Sequence, residues 1–345
     1  MEFLFSITPE VFGPLWPMVE DPEITDIEYN GKHLWVTYAS NEREKKNISL
    51  TRPFLDQLTQ RVSNHVSLPL NKEHPVLEAE DGSVRISIIH ESVAMTGRSL
   101  CIRKTLPGVR LTEEDAIKTG YMTPETLAFL KNCIRAHMSL VICGEPGAGK
   151  TELAKFLSRY IPDRERVITI EDTLEWHYSS IHPDADAVEL KVSKKLPYAD
   201  AIRSCLRQNP KWMMISEIRG EEAKDYVAAL STGVSGITTL HTDDARKVPE
   251  RIVNMVSDRI GAERMENDIF TFLDFAIFLS RRPRHDGSLV RVVDQIAAFS
   301  MENRERVCRL VFDGGIKAES LPYETWAKFR REGIVDPFLE EGGIS

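Results

Sequence analysis

Apolar and polar residues are patterned differently in the two halves of the chain. In the second half, short apolar runs are separated by stretches with apolar side chains at helical spacing. The runs lie at 139–143, 167–170, 212–215 and 237–240, and the helical stretches at 198–208, 221–230 and 248–256. Strands that alternate with helices are typical of a parallel α/β sheet whose strands are buried on both faces. Further apolar runs are predicted to close the sheet at 276–279, 290–293 and 307–312.

The first part of the chain carries hairpin signals instead. Alternating apolar residues on either side of Asn30-Gly31 predict two strands joined by a tight turn. A helix is predicted over 53–66, and further strands are predicted over 84–89 and 100–103. We therefore expect a smaller α+β N-terminal domain, a linker and a larger α/β domain, with bounds at 1–110, 111–124 and 125–345.

Composition narrows the class of protein. The chain has 345 residues, of which 42% are hydrophobic and 28% are charged, and this length suits about two domains. The net charge of −9 argues against a nucleic acid as the main ligand. The five cysteines are scattered without a C-x-x-C pair, so neither a zinc ribbon nor a disulfide framework is indicated. Reduced thiols in a cytosolic protein fit this pattern best.

Two apolar segments are candidates for membrane elements, and neither has the features of one. Residues 1–19 lack a basic flank and carry Glu2, Glu10 and three prolines, which makes them a poor signal peptide. The run 269–279 is interrupted by Asp274 and is too short to span a bilayer. We expect the first segment to pack against protein, the second to lie in a core, and no part of the chain to cross a membrane unaided.

The stretch from Gly144 to Thr151 satisfies the pattern G-x-x-x-x-G-K-[ST] and lies between a predicted strand and a predicted helix. Its glycines allow backbone N–H groups to approach a triphosphate closely. Lys150 is expected to reach the β/γ-phosphates of ATP, and the Thr151 hydroxyl to bind Mg²⁺. The alternative is a glycine-rich turn with no ligand. The nucleotide-binding set comprises the motif and the next residue, namely Gly144, Glu145, Pro146, Gly147, Ala148, Gly149, Lys150, Thr151 and Glu152.

Three other stretches with candidate chemical groups follow apolar strands, at the end where ligands bind in open α/β sheets. Glu217 is predicted to be the acid that holds Mg²⁺ together with Thr151, with Asp172 as a further candidate metal ligand. Glu171 is a candidate for polarising the attacking water, and His241 for contacting the γ-phosphate. Each has a structural alternative, since a strand-end acid often caps a helix and a loop histidine is often only hydrogen-bonded.

The set of motifs, in this order, resembles the type II/type IV secretion traffic ATPases, which power protein secretion, conjugation and pilus assembly. The glycine motif is similar to their Walker A loop. Other stretches resemble their Asp box, Walker B region, His box, pre-core strands and N-terminal opening, at 169–175, 206–220, 236–242, 81–85, 99–104 and 21–31. The resemblance covers most of the chain and implies a RecA-like P-loop NTPase core with a parallel sheet. The absence of a four-cysteine zinc insertion argues against the type II secretion branch, and the length and sequence look closest to the conjugation and tight-adherence pilus branch.

The resemblance also implies how such a protein works. It implies a homohexameric ring that binds ATP between its two domains, with arginines of the N-terminal domain reaching the phosphates as that domain closes. The matching candidates are Arg103 and Arg85, with Arg98 as a weaker one. The implied partners are inner-membrane platform proteins of a secretion or pilus system, and the implied location is the cytoplasm, at the periphery of the cytoplasmic membrane.

Two residues depart from the family pattern. Ser216 stands where the family usually has glycine before the Walker B acid, and Lys211 stands where an aspartate is common. Because serine adds only a small side chain, we expect hydrolysis to survive. Lys211 places a positive charge beside the start of the strand.

Three other functions remain open from sequence. A P-loop phosphotransferase needs an acceptor pocket and an arginine-rich lid, and no evident lid follows Thr242. A nucleic-acid translocase or helicase would show nucleic-acid-stimulated turnover with a steep salt dependence. A scaffold that binds nucleotide without hydrolysis would show tight ATP binding with almost no turnover.

Overall fold

A computed structural model describes residues 8–40, 42–105, 107–257, 261–283, 289–318 and 320–340. The chain divides into two compact units, Met1–Pro107 and Gly108–Ser345. The stretch 111–124, predicted to be a linker, belongs to the second unit and contains a short helix, Glu113–Lys118. The apolar residues of each unit that are buried form cores of their own.

The first unit is a six-stranded antiparallel sheet with the strand order β3-β2-β1-β6-β5-β4. Its elements are α1 (Pro9–Phe12), α2 (Trp16–Glu20), β1 (Ile24–Tyr29), β2 (Leu34–Tyr38), β3 (Arg43–Lys46), α3 (Arg52–Val66), β4 (Val76–Asp81), β5 (Val84–Ile89) and β6 (Ser99–Lys104). A short 3₁₀ helix, Gly13–Leu15, joins α1 to α2.

Local chemistry explains the ends of these elements. The Asn30 side chain accepts hydrogen bonds from the N–H groups of Lys32 and His33, at 3.0 and 2.8 Å, and so forms the predicted turn between β1 and β2. Thr51 caps α3 by accepting from the N–H of Phe54. Phe12 and the other apolar residues of the N-terminal segment that are buried lie in the core of this unit, whereas residues 1–7 lie outside the described residues.

The second unit is built on a nine-stranded sheet with the order β15-β14-β13-β12-β7-β11-β10-β8-β9. Strands from β12 to β9 in this order run parallel, and β12 to β15 are joined by antiparallel pairs. The strands are β7 (Leu140–Gly144), β8 (Val167–Glu171), β9 (Ala187–Lys191), β10 (Trp212–Ile215), β11 (Ser235–Leu240), β12 (Phe275–Pro283), β13 (Leu289–Glu302), β14 (Glu305–Asp313) and β15 (Ile316–Lys317).

Helices cover both faces of this sheet. They are α4 (Glu113–Lys118), α5 (Pro124–Arg135), α6 (Lys150–Ser158), α7 (Tyr178–Ile181), α8 (Tyr198–Leu206), α9 (Glu222–Leu230), α10 (Val248–Val253), α11 (Ala262–Phe272) and α12 (Tyr323–Arg331), with a 3₁₀ turn at Ala245–Lys247. Leu140 and Ile142 of β7 face one apolar cluster, and Val141 and Cys143 face the other. Burial on both faces explains the unbroken apolar runs, and the predicted α/β core with a parallel sheet and a smaller α+β domain is confirmed.

The apolar run 269–279 is a core segment, as predicted, but it is not one element. Helix α11 ends at Phe272 and β12 begins at Phe275, with Asp274 between them. The buried Asp274 carboxylate accepts the N–H of Ser139 at 2.9 Å and forms an ion pair with Lys328 of α12. Within the described residues, no helix combines the length and apolarity that a membrane span requires.

Candidate functional site

The predicted chemical groups meet at the carboxyl edge of four neighbouring parallel strands. The Walker A loop follows β7, His241 follows β11, Glu217 follows β10, and Glu171 is the last residue of β8. These strands are adjacent in the order β7-β11-β10-β8. Adjacency in the sheet therefore brings together groups that lie up to 97 residues apart along the chain, as the contact between Gly144 and His241 shows.

Close packing of two strands requires glycine at the start of the Walker A loop. Gly144 has φ +151, and a Cβ atom there would lie 2.5 Å from the Leu279 carbonyl oxygen of β12. Any other residue would push β7 away from β12 and displace the loop. The loop ends at Gly149, where α6 begins, and the first N–H groups of a helix favour an anion.

Lys150 is buried and has three polar neighbours. Its ammonium donates to the carbonyl oxygens of Gly144 and Glu145, at 3.1 and 3.2 Å, and lies 3.2 Å from Nδ1 of His241. Burial lowers the pKa of Lys150, and the nearby Glu217 carboxylate acts in the opposite direction. An ammonium has three N–H donors. When Nδ1 of His241 is unprotonated, all three donors are used, and a phosphate that binds Lys150 takes the place of one of these partners.

Four other side chains continue from Lys150 as a polar chain across the strand ends. His241 Nε2 lies 3.1 Å from Glu217 Oε1, so one tautomer can accept from Lys150 at Nδ1 and donate to Glu217 at Nε2. Arg219 lies 4.0 Å from Glu217 and forms an ion pair with Asp172. Lys150, His241 and Glu217 thus contact one another in sequence, and Arg219 links Glu217 to Asp172.

Glu171 has a different environment from Glu217. Its side chain is buried, and Oε2 accepts the N–H groups of Glu175 and Trp176 at 2.8 and 2.9 Å. Burial raises the pKa of Glu171 to about 8, although these two N–H groups act to lower it. Oε1 is buried without a hydrogen-bond partner among the described residues. In this position Glu171 closes the turn after β8.

Glu175 was not among the candidates from sequence, yet it contacts the Walker A helix. Its Oε2 accepts a hydrogen bond from the Thr151 hydroxyl at 3.1 Å. The turn capped by Glu171 carries the chain back, so that the acid four residues later faces α6. The residue type and its place in the motif-like stretch 169–175 were visible in the sequence, but the direction of the turn was not.

Asp172 and Glu152 make contacts that sequence did not predict. Asp172 accepts the N–H of Thr173 at 2.9 Å in addition to its ion pair with Arg219. Glu152, the residue after Thr151, accepts the N–H groups of Arg110 and Leu111 at 2.5 and 3.0 Å. Its carboxylate therefore fastens the first residues of the second unit to α6.

Ser216 is buried beside Glu217. Its hydroxyl lies 3.2 Å from the Tyr198 hydroxyl, and its carbonyl oxygen accepts from Thr239 at 2.7 Å.

A cavity of about 450 Å³ opens between the Walker A loop and α10. It is lined by Gly144, Glu145, Pro146, His241, Thr242, Asp243, Lys247, Glu250, Arg251 and Asn254.

In the first unit, the predicted arginines have acidic or strand partners of their own. Arg103 Nε lies 2.8 Å from Asp26, and Arg85 is opposite Arg103 in the register of β5 and β6. Arg98 is bonded to Glu91 at 2.8 Å and to Asp56 at 2.8 Å. A role of these arginines at a phosphate stays a prediction.

Comparison with known proteins places the chain among secretion proteins. A family model described as "T2SSE: Type II/IV secretion system protein" matches residues 73–273. An uncharacterized protein of Bacillus anthracis is 29% identical over 320 residues, which cover 87% of this chain and 70% of the relative. The type IV secretion system protein VirB11 of Brucella suis is 30% identical over 296 residues, which cover 76% of this chain and 81% of VirB11.

Solved structures share the fold. The pilus retraction motor PilT, determined with bound ADP, is similar with a TM-score of 0.63 and 18% identity, covering 93% of this chain and 86% of PilT. The ATPase DotB of Legionella pneumophila is similar with a TM-score of 0.56 and 18% identity, covering 86% of this chain and 82% of DotB.

Proposed function

The chain belongs to the family of type II/IV secretion system proteins, and from this premise we propose that it hydrolyses ATP to ADP and phosphate with Mg²⁺ to drive a secretion, conjugation or pilus-assembly machine. The observation that carries the proposal is the contact of buried Lys150 with the Walker A carbonyls and with His241, which in turn contacts Glu217. The segments after three strands thus bring the Lys150 ammonium, the His241 imidazole and the Glu217 carboxylate into contact.

The geometry supports a triphosphate as the ligand. The loop has glycine where strand packing leaves no room for a Cβ atom, and it leads into the N-terminus of α6. Lys150 can exchange the carbonyls of Gly144 and Glu145 for phosphate oxygens, because carbonyl and phosphate oxygens both accept hydrogen bonds from an ammonium. In the transition state the same ammonium neutralises charge that develops on the transferred phosphoryl group.

Magnesium fits the oxygen groups beside this loop. Mg²⁺ is usually held by one or two carboxylates and by substrate phosphates, with several waters retained. The Thr151 hydroxyl would bind it, and Glu175, which accepts from that hydroxyl, and Glu217 are the nearby carboxylates. When bound, the ion offsets the charge of the phosphates and aligns them for cleavage.

We assign the acidic residues by their contacts. Glu217 is the Walker B acid, and His241 links it to Lys150, so that the position of the histidine depends on what the lysine binds. Glu175 takes the position beside Thr151 and is the better candidate for orienting a water there. Glu171 holds the turn that contains Glu175. The burial of Glu171 and its hydrogen bonds to backbone N–H groups favour this structural role over the catalytic role predicted from sequence.

The larger assembly is part of the same proposal. A homohexamer, docked on inner-membrane platform proteins at the cytoplasmic face, would use closure of the N-terminal domain to bring Arg85 and Arg103 to the phosphates. Support comes from the family and from the names of the similar proteins, which are a type IV secretion system protein, a pilus retraction motor and an ATPase. The cycle would convert phosphate release into domain movement.

Replacing Lys150 tests the site. We predict that Lys150→Ala lowers ATP turnover by at least about 100-fold, because one buried donor to the transition state is lost. Steady-state phosphate release and binding of a fluorescent ATP analogue measure the effect. Lys118→Ala, an exposed lysine of α4, is the matched control and should retain turnover.

Equal turnover of the Lys150→Ala variant and the wild type would refute the site. Tight ATP binding by the wild type with almost no turnover would favour the nucleotide-dependent scaffold instead. Turnover that rises with added nucleic acid and falls steeply with salt would favour a translocase.

A further inference from the structure

Strand β12 extends past the end of its neighbour β7. The last residue of β7, Gly144, pairs with Leu279, and β12 continues to Pro283. Arg281 lies in this extension and is directly opposite Arg291 in the antiparallel register with β13. Two arginines are therefore placed at the point where the Walker A loop leaves the sheet.

Arg291 lies against the loop with both its stem and its guanidinium. Its Nε donates to the Gly147 carbonyl oxygen at 3.1 Å. A Cβ atom added to Gly149 would lie 3.2 Å from the Arg291 Cδ, so the stem packs on the glycine that precedes α6. The contact is to the carbonyl side of the backbone, whereas the phosphates of a P-loop bind to N–H groups.

Arg281 contacts the other end of the same loop. Its Nη2 lies 3.1 Å from Glu145 Oε2, and the two side chains are 31% and 67% exposed. This exposure makes the pair weaker and more sensitive to salt than a buried contact. The two arginines thus touch both ends of the five-residue loop between Gly144 and Lys150.

The arrangement is unfavourable by itself. Like charges directly opposite each other on an antiparallel pair repel. Burial lowers the pKa of Arg291, and the charges of Arg281 and Arg110 act in the same direction, while Tyr121 and Glu152 oppose them. The contacts of Arg291 with Gly147 and of Arg281 with Glu145 offset part of this repulsion.

We propose that Arg291 and Arg281 are positioning residues of the nucleotide site, which fix the Walker A loop from its carbonyl side so that its N–H groups are preorganised for phosphate. The inference rests on the proposed ATP-binding function and extends it to the β12–β13 pair. Preorganisation of a loop acts on ligand affinity, because it removes an ordering cost from binding. Loss of Arg291 therefore weakens nucleotide binding more than it slows the chemical step.

The test uses methionine, which keeps an unbranched stem and removes the donor. Arg291→Met should raise KM and Kd for ATP about tenfold, the effect of one charged hydrogen bond, and leave kcat within about twofold. Arg291→Lys keeps a charged donor and should give an intermediate KM. Arg281→Met should give a smaller increase that fades at high salt.

Arg282→Met is the matched control, because Arg282 is the next residue of β12 and forms an ion pair with Asp294. It should leave KM unchanged, and melting temperatures without nucleotide should show that every variant is folded. Equal KM values for Arg291→Met and Arg282→Met, or a lower kcat at unchanged KM, would overturn the inference. A wild type that neither binds nor hydrolyses ATP would instead overturn the proposed function.

Discussion

Glu217 and Glu171 are acids at the carboxyl ends of adjacent strands, since Glu171 is the last residue of β8 and Glu217 lies two residues past the end of β10. Glu217 contacts His241 and Arg219, and its side chain is 28% exposed. Glu171 is 1% exposed and caps backbone N–H groups. Register explains the difference, because Ile215 pairs with Ile170, which places Ser216 level with Glu171 and Glu217 one residue farther along.

The comparison teaches that the environment of a strand-end acid decides its chemistry. Glu171 is still part of β8, where its side chain is buried, whereas Glu217 lies past the end of β10 and reaches the charged groups at the edge of the sheet. Glu217 remains among charged partners, whereas burial favours the neutral form of Glu171. Replacing each acid by its neutral amide separates these two roles.

The largest effect is expected from Glu217→Gln. The amide keeps the size and a hydrogen-bond acceptor for His241 but removes the negative charge. We predict that turnover falls by at least about 100-fold while ATP binding is retained, as for loss of one charged group that stabilises the transition state through the metal ion. Phosphate release in a single turnover, together with the nucleotide-induced rise in melting temperature, measures both quantities.

A smaller effect, of different kind, is expected from Glu171→Gln. Since the carboxyl is largely protonated below its pKa of about 8, the amide should replace it with turnover within about threefold of the wild type. A loss as large as that of Glu217→Gln would break the comparison and restore Glu171 as a catalytic acid or base.

The pH dependence of stability sharpens this prediction. The folded pKa of Glu171 is raised from 4.5 to about 8, so its stabilising contribution is complete below pH 4.5 and is lost as pH rises towards 8. Relative to Glu171→Gln, the wild type should lose free energy of unfolding across this window, by up to about 1.4 kcal/mol per pH unit. Urea unfolding of both proteins at several pH values measures the difference, and parallel curves would contradict the assignment.

The smallest effect is expected from Ser216→Gly, which restores the residue that the family usually has before the Walker B acid. It removes the hydroxyl contact with Tyr198, and we predict a change in turnover within about twofold and a loss of about 1 kcal/mol in stability. Tyr198→Phe removes the same contact without changing the backbone and serves as the control. A large change in turnover with Ser216→Gly alone would show that the serine shapes the position of Glu217.

Sequence predicted the features that depend on short-range patterns. The apolar runs predicted β7, β8, β10 and β11, whereas β9 was not predicted. Because the Walker A loop and His241 each follow one of the predicted strands, the sequence also implied that Lys150 and His241 meet. Sequence did not predict that Glu175 contacts Thr151, because that depends on a turn held by a buried carboxyl. The contact of Arg291 with Gly147 depends on how far β12 extends past β7, which no local pattern encodes.

The ion pair between Asp274 and Lys328 has a consequence for how the second unit is completed. The two residues are 54 positions apart, and Lys328 belongs to α12, the last helix that the structure describes. During synthesis, Asp274 is made before Lys328, so a chain that ends after β12 already contains the core carboxylate but not yet its lysine partner. Helix α12 therefore completes the core of the second unit. A chain truncated before α12 would leave the buried Asp274 carboxylate without its lysine partner.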